Sequence, residues 1–158
     1  VIHVEFSGNG LGVRACHPKA WSIIKVLCLD IPKPNQEQPL ALPIKFSPTG
    51  PKGWMDQPDA PQETATFISG TPMGADHIYF NRTNPKYRMG IWRSQPYTEF
   101  YESYAADEFM YVLEGSVTLE ADGFTETYSQ GDAFFVPKGF KGYWRQSEPM
   151  LKYYVIVE

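Results

Sequence analysis

Glu102, Tyr104 and Glu108 are spaced so that they can meet. In an extended strand alternate side chains share a face, and Met110 and Val112 would continue that face inward. The Ala105-Ala106 step interrupts the alternation and leaves the register open. Desolvation raises the pKa of a carboxyl group, and a second carboxylate nearby raises it further. A Glu tuned in this way serves as a general acid or base near neutral pH. Tyr104 can then donate a hydrogen bond to a developing oxyanion. Gly142 and Trp144 share a face, and the glycine is expected to open space beside the indole. Trp92 and Arg93 are neighbours on one run, so at most one of them faces inward. Arg88 and Lys152 are read either as partners of an anionic ligand or as solvated surface charges. The bland alternatives are a Glu108 that merely accepts backbone N–H groups, and a Tyr104 and Trp144 that are core.

These residues need strands to position them. From about residue 76 short apolar or alternating runs recur: 77–80, 87–93, 109–113, 116–120, 124–128, 133–136, 143–145 and 151–157. They are rich in Val, Tyr, Phe and Thr, as strands prefer. Ala121-Asp122-Gly123 and Pro137-Lys138-Gly139 supply turns between them. Many short strands at regular spacing imply a sandwich or barrel. Residues 32–72 hold nine prolines, which cannot donate to a sheet ladder, so this stretch is expected to be extended or irregular. Phe46, Trp54 and Phe67 seek burial, so the stretch is expected to lie along a barrel or a partner. The division expected is an arm and Pro-rich segment over 1–65 and a barrel over 66–158.

A net charge of −4 argues against nucleic acid as a partner, since phosphate binding needs clustered Lys and Arg. No apolar run reaches the ~18 residues that a membrane span requires. The stretch from Trp21 to Leu29 is broken by Ser22 and Lys25 and lacks the flanks of a secretory signal, so it is read as structure. With no signal recognised, the location expected is cytoplasmic. Cys16 and Cys28 are expected as reduced, buried thiols, with a disulfide as the alternative.

Two motifs narrow the fold. Glu108-Phe-Met-Tyr-Val-Leu-Glu-Gly115 reads as E-x6-G, and Gly131-Asp-Ala-Phe-Phe-Val-Pro137-Lys-Gly139 reads as G-x5-P-x-G. Fifteen residues separate Gly115 from Gly131. The glycines suit turns with positive φ, and Pro-x-Gly turns one strand into the next. With Tyr104 to Asp107, Phe140 to Trp144 and Lys152 to Ile156, the pattern resembles the third family of the cupin superfamily, which includes ethanolamine-utilisation-type and ureidoglycine-aminohydrolase-like proteins. The resemblance covers about residues 66–158. It implies an all-β protein, a single cupin jelly-roll β-barrel with an extended Pro-rich N-terminal arm. It also implies a homodimer formed by sheet packing or by an exchanged N-terminal strand, for which residues 21–31 are a candidate.

The resemblance further implies a metal held by His-x-His a few residues before the motif Glu, by that Glu, and by a later His. Here the Glu falls on Glu108. The two His positions fall on Glu102 and Tyr104, or on Tyr101 and Ser103, and the later His falls on Gly142. The histidines, His3, His17 and His77, all lie outside the motifs. Transition metals in proteins usually take imidazole or thiolate ligands, so no metal cofactor is expected. An oxygen-rich site for Mg or Mn on Glu108 and Glu102 is the alternative.

The function expected is metal-free acid–base chemistry, of isomerase, cyclase, lyase or aminohydrolase type, on a small polar or aromatic metabolite. Glu108, Tyr104 and Glu102 are the candidate catalytic residues. Trp144, Tyr101, Ser103, Met110, Trp92 and Arg88 are the candidate ligand contacts. A non-catalytic metabolite-binding or sensing domain, and a structural or oligomerisation role, are the competing readings.

Overall fold

A computed structural model describes residues 41–158. Cys16, Cys28, the 21–31 segment and the rest of the arm before residue 41 lie outside the described residues. Eleven strands run β1 Ala60–Pro61, β2 Thr66–Gly70, β3 Met73–Thr83, β4 Lys86–Ser94, β5 Tyr97–Tyr101, β6 Asp107–Glu114, β7 Ser116–Ala121, β8 Phe124–Ser129, β9 Ala133–Val136, β10 Gly142–Arg145 and β11 Met150–Val157. They form two antiparallel sheets, ordered β1-β3-β4-β11-β6-β9 and β2-β5-β10-β7-β8. This is the all-β jelly roll expected. Among the described residues no helix is long and apolar enough to cross a membrane.

Alternation explains how the sheets pack. In β6, Glu108, Met110 and Val112 turn inward while Phe109 and Tyr111 turn outward. Met110, Val112, Phe134, Val136 and Met150 from one sheet meet Tyr97, Val117, Leu119 and Trp144 from the other in a single core. Tyr128 stacks on Phe134 with ring centroids 4.0 Å apart.

The motif turns behave as their composition requires. Gly115, Gly131 and Gly139 have φ of 77°, 93° and 88°, the left-handed region that favours glycine. Gly115 joins β6 to β7, and a β-carbon there would lie 2.1 Å from the Pro149 carbonyl oxygen. The Pro137-Lys-Gly-Phe turn also fixes Tyr104, whose N–H donates to the Phe140 carbonyl and whose carbonyl accepts from the Gly139 N–H, both at 2.8 Å.

Strands β2 and β5 are not among the runs read from the sequence. All five residues of β2 are exposed, so its Phe67 and Ile68 mark no buried face. Strand β5 is short and follows Pro96 directly. Its pairing with β2 and β10 makes it a strand.

Residues 46–59 of the Pro-rich stretch pack on the outer face of the six-stranded sheet. Trp54, only 2% exposed, joins Ile91 and Leu151 in a second cluster bordered by Tyr79 and Tyr153. Phe46 stacks on Tyr79 at 4.4 Å. Arg93 clamps the segment. Its guanidinium lies 4.7 Å from the centre of the Trp54 ring and donates to the Trp54 carbonyl at 2.8 Å, the Gln57 carbonyl at 2.6 Å and Asp59 at 3.0 Å. Arg93 therefore belongs to the outer face, and Trp92 to the inner one.

Candidate functional site: a cavity between the sheets

Between the sheets lies a cavity of about 430 Å³. Its wall takes Asp76 from β3, Arg88 and Trp92 from β4, Tyr97, Glu99 and Tyr101 from β5, and Glu108 from β6. Trp144 of β10 and Lys152, Tyr154 and Ile156 of β11 complete it, with Tyr104 and residues 61–63 at its edges.

At its centre is an ion pair. Lys152 Nζ donates to Glu108 Oε1 at 3.0 Å, and the two side chains are 8% and 5% exposed. The same ammonium lies 3.0 Å from Met110 Sδ. It also sits 4.9 Å and 4.8 Å from the centres of the Trp92 and Trp144 rings, whose π faces attract it. The other Glu108 oxygen accepts the Tyr104 hydroxyl. Glu108 thus has a charged partner for its charge and a donor for its second oxygen, the condition under which a carboxylate is tolerated away from water.

A second carboxylate, Glu99, is 1% exposed and has no basic partner among the described residues. Hydrogen bonds satisfy it instead. Tyr97 and Tyr101 both donate to its Oε1, and the Ala65 N–H donates to Oε2 at 2.7 Å. At the mouth, Tyr154 donates to both oxygens of Asp76, at 2.8 and 3.0 Å. Asp76 is open to the cavity's solvent but walled by protein on its other sides. That partial desolvation raises its carboxyl above the ordinary value, against the Tyr154 bond and the nearby Arg88 and Lys152, which lower it. Burial also pushes the phenols of Tyr97, Tyr101, Tyr104 and Tyr154 well above the ordinary tyrosine range, and neighbouring charges and phenols reinforce the shift. All four therefore keep their protons at neutral pH.

The structure brings Glu108, Tyr104, Tyr101, Trp92, Trp144 and Arg88 to the cavity. Met110 lies beneath it, fully buried, in contact with the Lys152 ammonium. Two candidate residues lie elsewhere. Strand β5 ends at Tyr101 and the chain bends, so Glu102 and Ser103 turn to solvent. The Glu102 side chain is 72% exposed and pairs with Lys141 at 2.7 Å. Glu102 therefore leaves the catalytic set, and Mg or Mn cannot bridge it to Glu108. Gly142 opens no space beside Trp144, because the Phe140 ring and the Glu120 carbonyl approach within 2.6 and 2.4 Å of where its β-carbon would stand. Tyr104 spends its proton on Glu108, so it is no free oxyanion donor.

Sequence reasoning missed Glu99, Asp76, Tyr97 and Tyr154, and left Lys152 between cavity and surface. The signal for Tyr97 and Glu99 was the Tyr97-x-Glu99-x-Tyr101 alternation, legible once β5 is taken as a strand. For Lys152 and Tyr154 it was the alternation along β11, but that does not say which face of β11 is the inner one.

The residues do not fit the metal that the resemblance implies. No imidazole stands at positions 101–104 or 142. The Glu108 oxygens already hold an ammonium and a phenol, and a metal ion approaching them would meet the Lys152 charge. Among the described residues no three His, Cys, Asp or Glu side chains group as metal ligands do.

Comparison with known proteins agrees with this fold. Residues 85–154 match the model of the EutQ-like cupin domain. Over those residues the chain is similar to EutQ-like cupin domains. Its barrel is similar to that of a protein of unknown function from Pseudomonas syringae pv. tomato, with 28% identity and a TM-score of 0.58 over 64% of this chain and 43% of that one. The chain therefore spans less than half the length of that relative. Similarity extends to the EutQ protein of Clostridium difficile, at 23% identity and a TM-score of 0.47 over 54% of this chain and 68% of that one. It also extends to a protein of unknown function from Rhizobium leguminosarum, at 29% identity and 0.46 over 53% and 80%. No curated protein matches the chain.

Proposed function

We propose that this cupin domain binds a small polar or aromatic metabolite between its sheets and transfers a proton on it without a metal, with Glu108 as the acid–base group. The observation that carries the reading is the Lys152–Glu108–Tyr104 chain at the cavity wall. A base that removes a substrate proton must accept it without stranding a charge. Glu108 has a fixed cation on one oxygen and a phenol on the other, so it can be protonated while Lys152 turns its charge toward the substrate's new anion. Returning the proton to a neighbouring atom completes an isomerisation, and returning it to a leaving group completes an elimination or deamination. The Trp92 and Trp144 rings, set edge to face at 6.3 Å, supply an apolar wall that orients a flat ligand.

A cytoplasmic location and a homodimer belong to the same proposal. The outward Phe109, Tyr111 and Phe135 of β6 and β9 form an exposed aromatic face that supports sheet-to-sheet pairing. The competing reading, a non-catalytic binding domain, is favoured by the closed hydrogen-bond network, since a rigid, fully paired wall suits recognition as well as turnover.

The test is deuterium exchange from D₂O into a panel of small polar and aromatic metabolites, followed by proton NMR. Glu108→Gln should slow any exchange about 100-fold or more, the scale of a positioned acid–base group. Exchange at the wild-type rate in that variant would remove Glu108 as the base. Elemental analysis of the tag-free protein should find no near-stoichiometric transition metal. Iron, copper, nickel, zinc or manganese lost in Glu108→Ala would overturn the metal-free reading.

A further inference from the structure

The proton inventory of the cavity wall is one-sided. The hydroxyls of Tyr97 and Tyr101 both donate to Glu99, that of Tyr104 to Glu108 and that of Tyr154 to Asp76. A phenol has one proton to give, so each of the four turns only oxygen lone pairs to anything else in the cavity. The Lys152 ammonium is engaged by Glu108, by Met110 Sδ and by two indole faces. Trp92 spends its N–H on Gln62 at 3.1 Å, and Trp144 spends its own on Gln146 at 3.3 Å. Among the described residues, Arg88, exposed at the mouth, is the cation of the wall with donors to spare. In charge, Glu63, Asp76, Glu99 and Glu108 face Arg88 and Lys152, four carboxylates against two cations.

From this we infer that the ligand is a small organic cation rich in N–H donors, an amine, amidine or guanidine carried on a flat or compact frame. The inference rests on the reading of the cavity as a small-molecule site and names the class it takes. Arg88 at the mouth and the Gln62 amide at the edge are the side-chain donors that an acceptor-only ligand would meet among the described residues, whereas N–H groups set deeper would meet phenol and carboxylate oxygens. The spare negative charge lies on Asp76 and Glu99, away from the paired Glu108. The cationic group is therefore placed toward those two, and the rest of the ligand lies against the Trp92 and Trp144 wall. Of the two readings of Lys152, neither the solvated surface charge nor the partner of an anionic ligand describes it, because its ammonium is buried against Glu108.

Benzamidine and benzoate form a matched pair of probes, the same ring bearing an N–H-rich cation or an acceptor-only anion. Calorimetric titration of the full chain at neutral pH should show saturable benzamidine binding at least tenfold tighter than that of benzoate. Asp76→Asn and Glu99→Gln should each weaken it severalfold. Asp76 lies at the mouth, so its variant keeps the test decisive if Glu99→Gln fails to fold. Equal or tighter binding of benzoate would overturn the cationic class while leaving the cavity a ligand site and the Glu108 exchange test untouched. So would benzamidine binding that ignores Asp76→Asn. Saturable binding by neither probe would overturn the class and count against the site itself.

Discussion

Lys152 and Glu108 lie 44 residues apart in sequence and 3.0 Å apart in space, because β11 runs hydrogen-bonded between β4 and β6. The pleat of β11 sends Leu151 outward onto Trp54 and Lys152 inward to the cavity. Breaking such a pair strands a buried charge. Lys152→Met should therefore destabilise the protein by about 3–5 kcal/mol in urea unfolding. The double variant Glu108→Gln/Lys152→Met should regain most of that loss. If the two single effects simply add, the pair is not coupled as described.

Asp76 gives a pH dependence of definite sign. Its folded-state pKa is raised, with burial as the first cause. The folded state then binds the proton more tightly than the unfolded chain. Stability from this group is fully present below the ordinary carboxyl value of 3.8 and is lost as pH rises through the higher folded value. The Tm of Asp76→Asn relative to wild type should therefore climb across that window and level off above it. A difference that falls with rising pH would contradict the burial of this carboxyl.

Arg93 is the clamp of the Pro-rich segment. Arg93→Ala removes charge-assisted bonds to Trp54, Gln57 and Asp59 and should cost about 1.5–3 kcal/mol. The Trp54 emission should shift to the red, and proteases should cut between residues 46 and 60 before they cut the barrel. Asp59 sharpens the test. Its carboxyl is held below the ordinary value by the Gln95 bond and by Arg93, so its contribution is present above that value and is lost as pH falls through the lowered one.

The two motif glycines that begin and end the 115–131 stretch should differ in tolerance. Both have positive φ, but a β-carbon at Gly131 meets open space, whereas one at Gly115 meets the Pro149 carbonyl. Gly131→Ala should cost about 1–2 kcal/mol, the left-handed penalty alone. Gly115→Ala adds a backbone clash and should cost about 3 kcal/mol or more. Equal losses in thermal unfolding would show that the β6–β7 turn can move away.

Local chemistry determined a good part of this protein. The two-residue period of β6, the turn glycines 115, 131 and 139 and the Pro-x-Gly corner are short-range features, so a sandwich or barrel could be read from residue types, and the jelly roll from the resemblance those motifs carry. The missing imidazoles at positions 101–104 and 142 were equally plain. Tertiary structure decided the partners. Alternation tells which residues share a face, but not which face is covered, and in β4 and β11 both faces are, one by the opposite sheet and one by Phe46 and Trp54. Only the packing could send Trp92 and Lys152 inward and Arg93 outward. Only the bend after Tyr101 could expose Glu102, and only the packing of β5 could turn Glu99 and its flanking tyrosines to the cavity. A strand's own sequence fixes its pleat; what each face meets depends on strands many residues away.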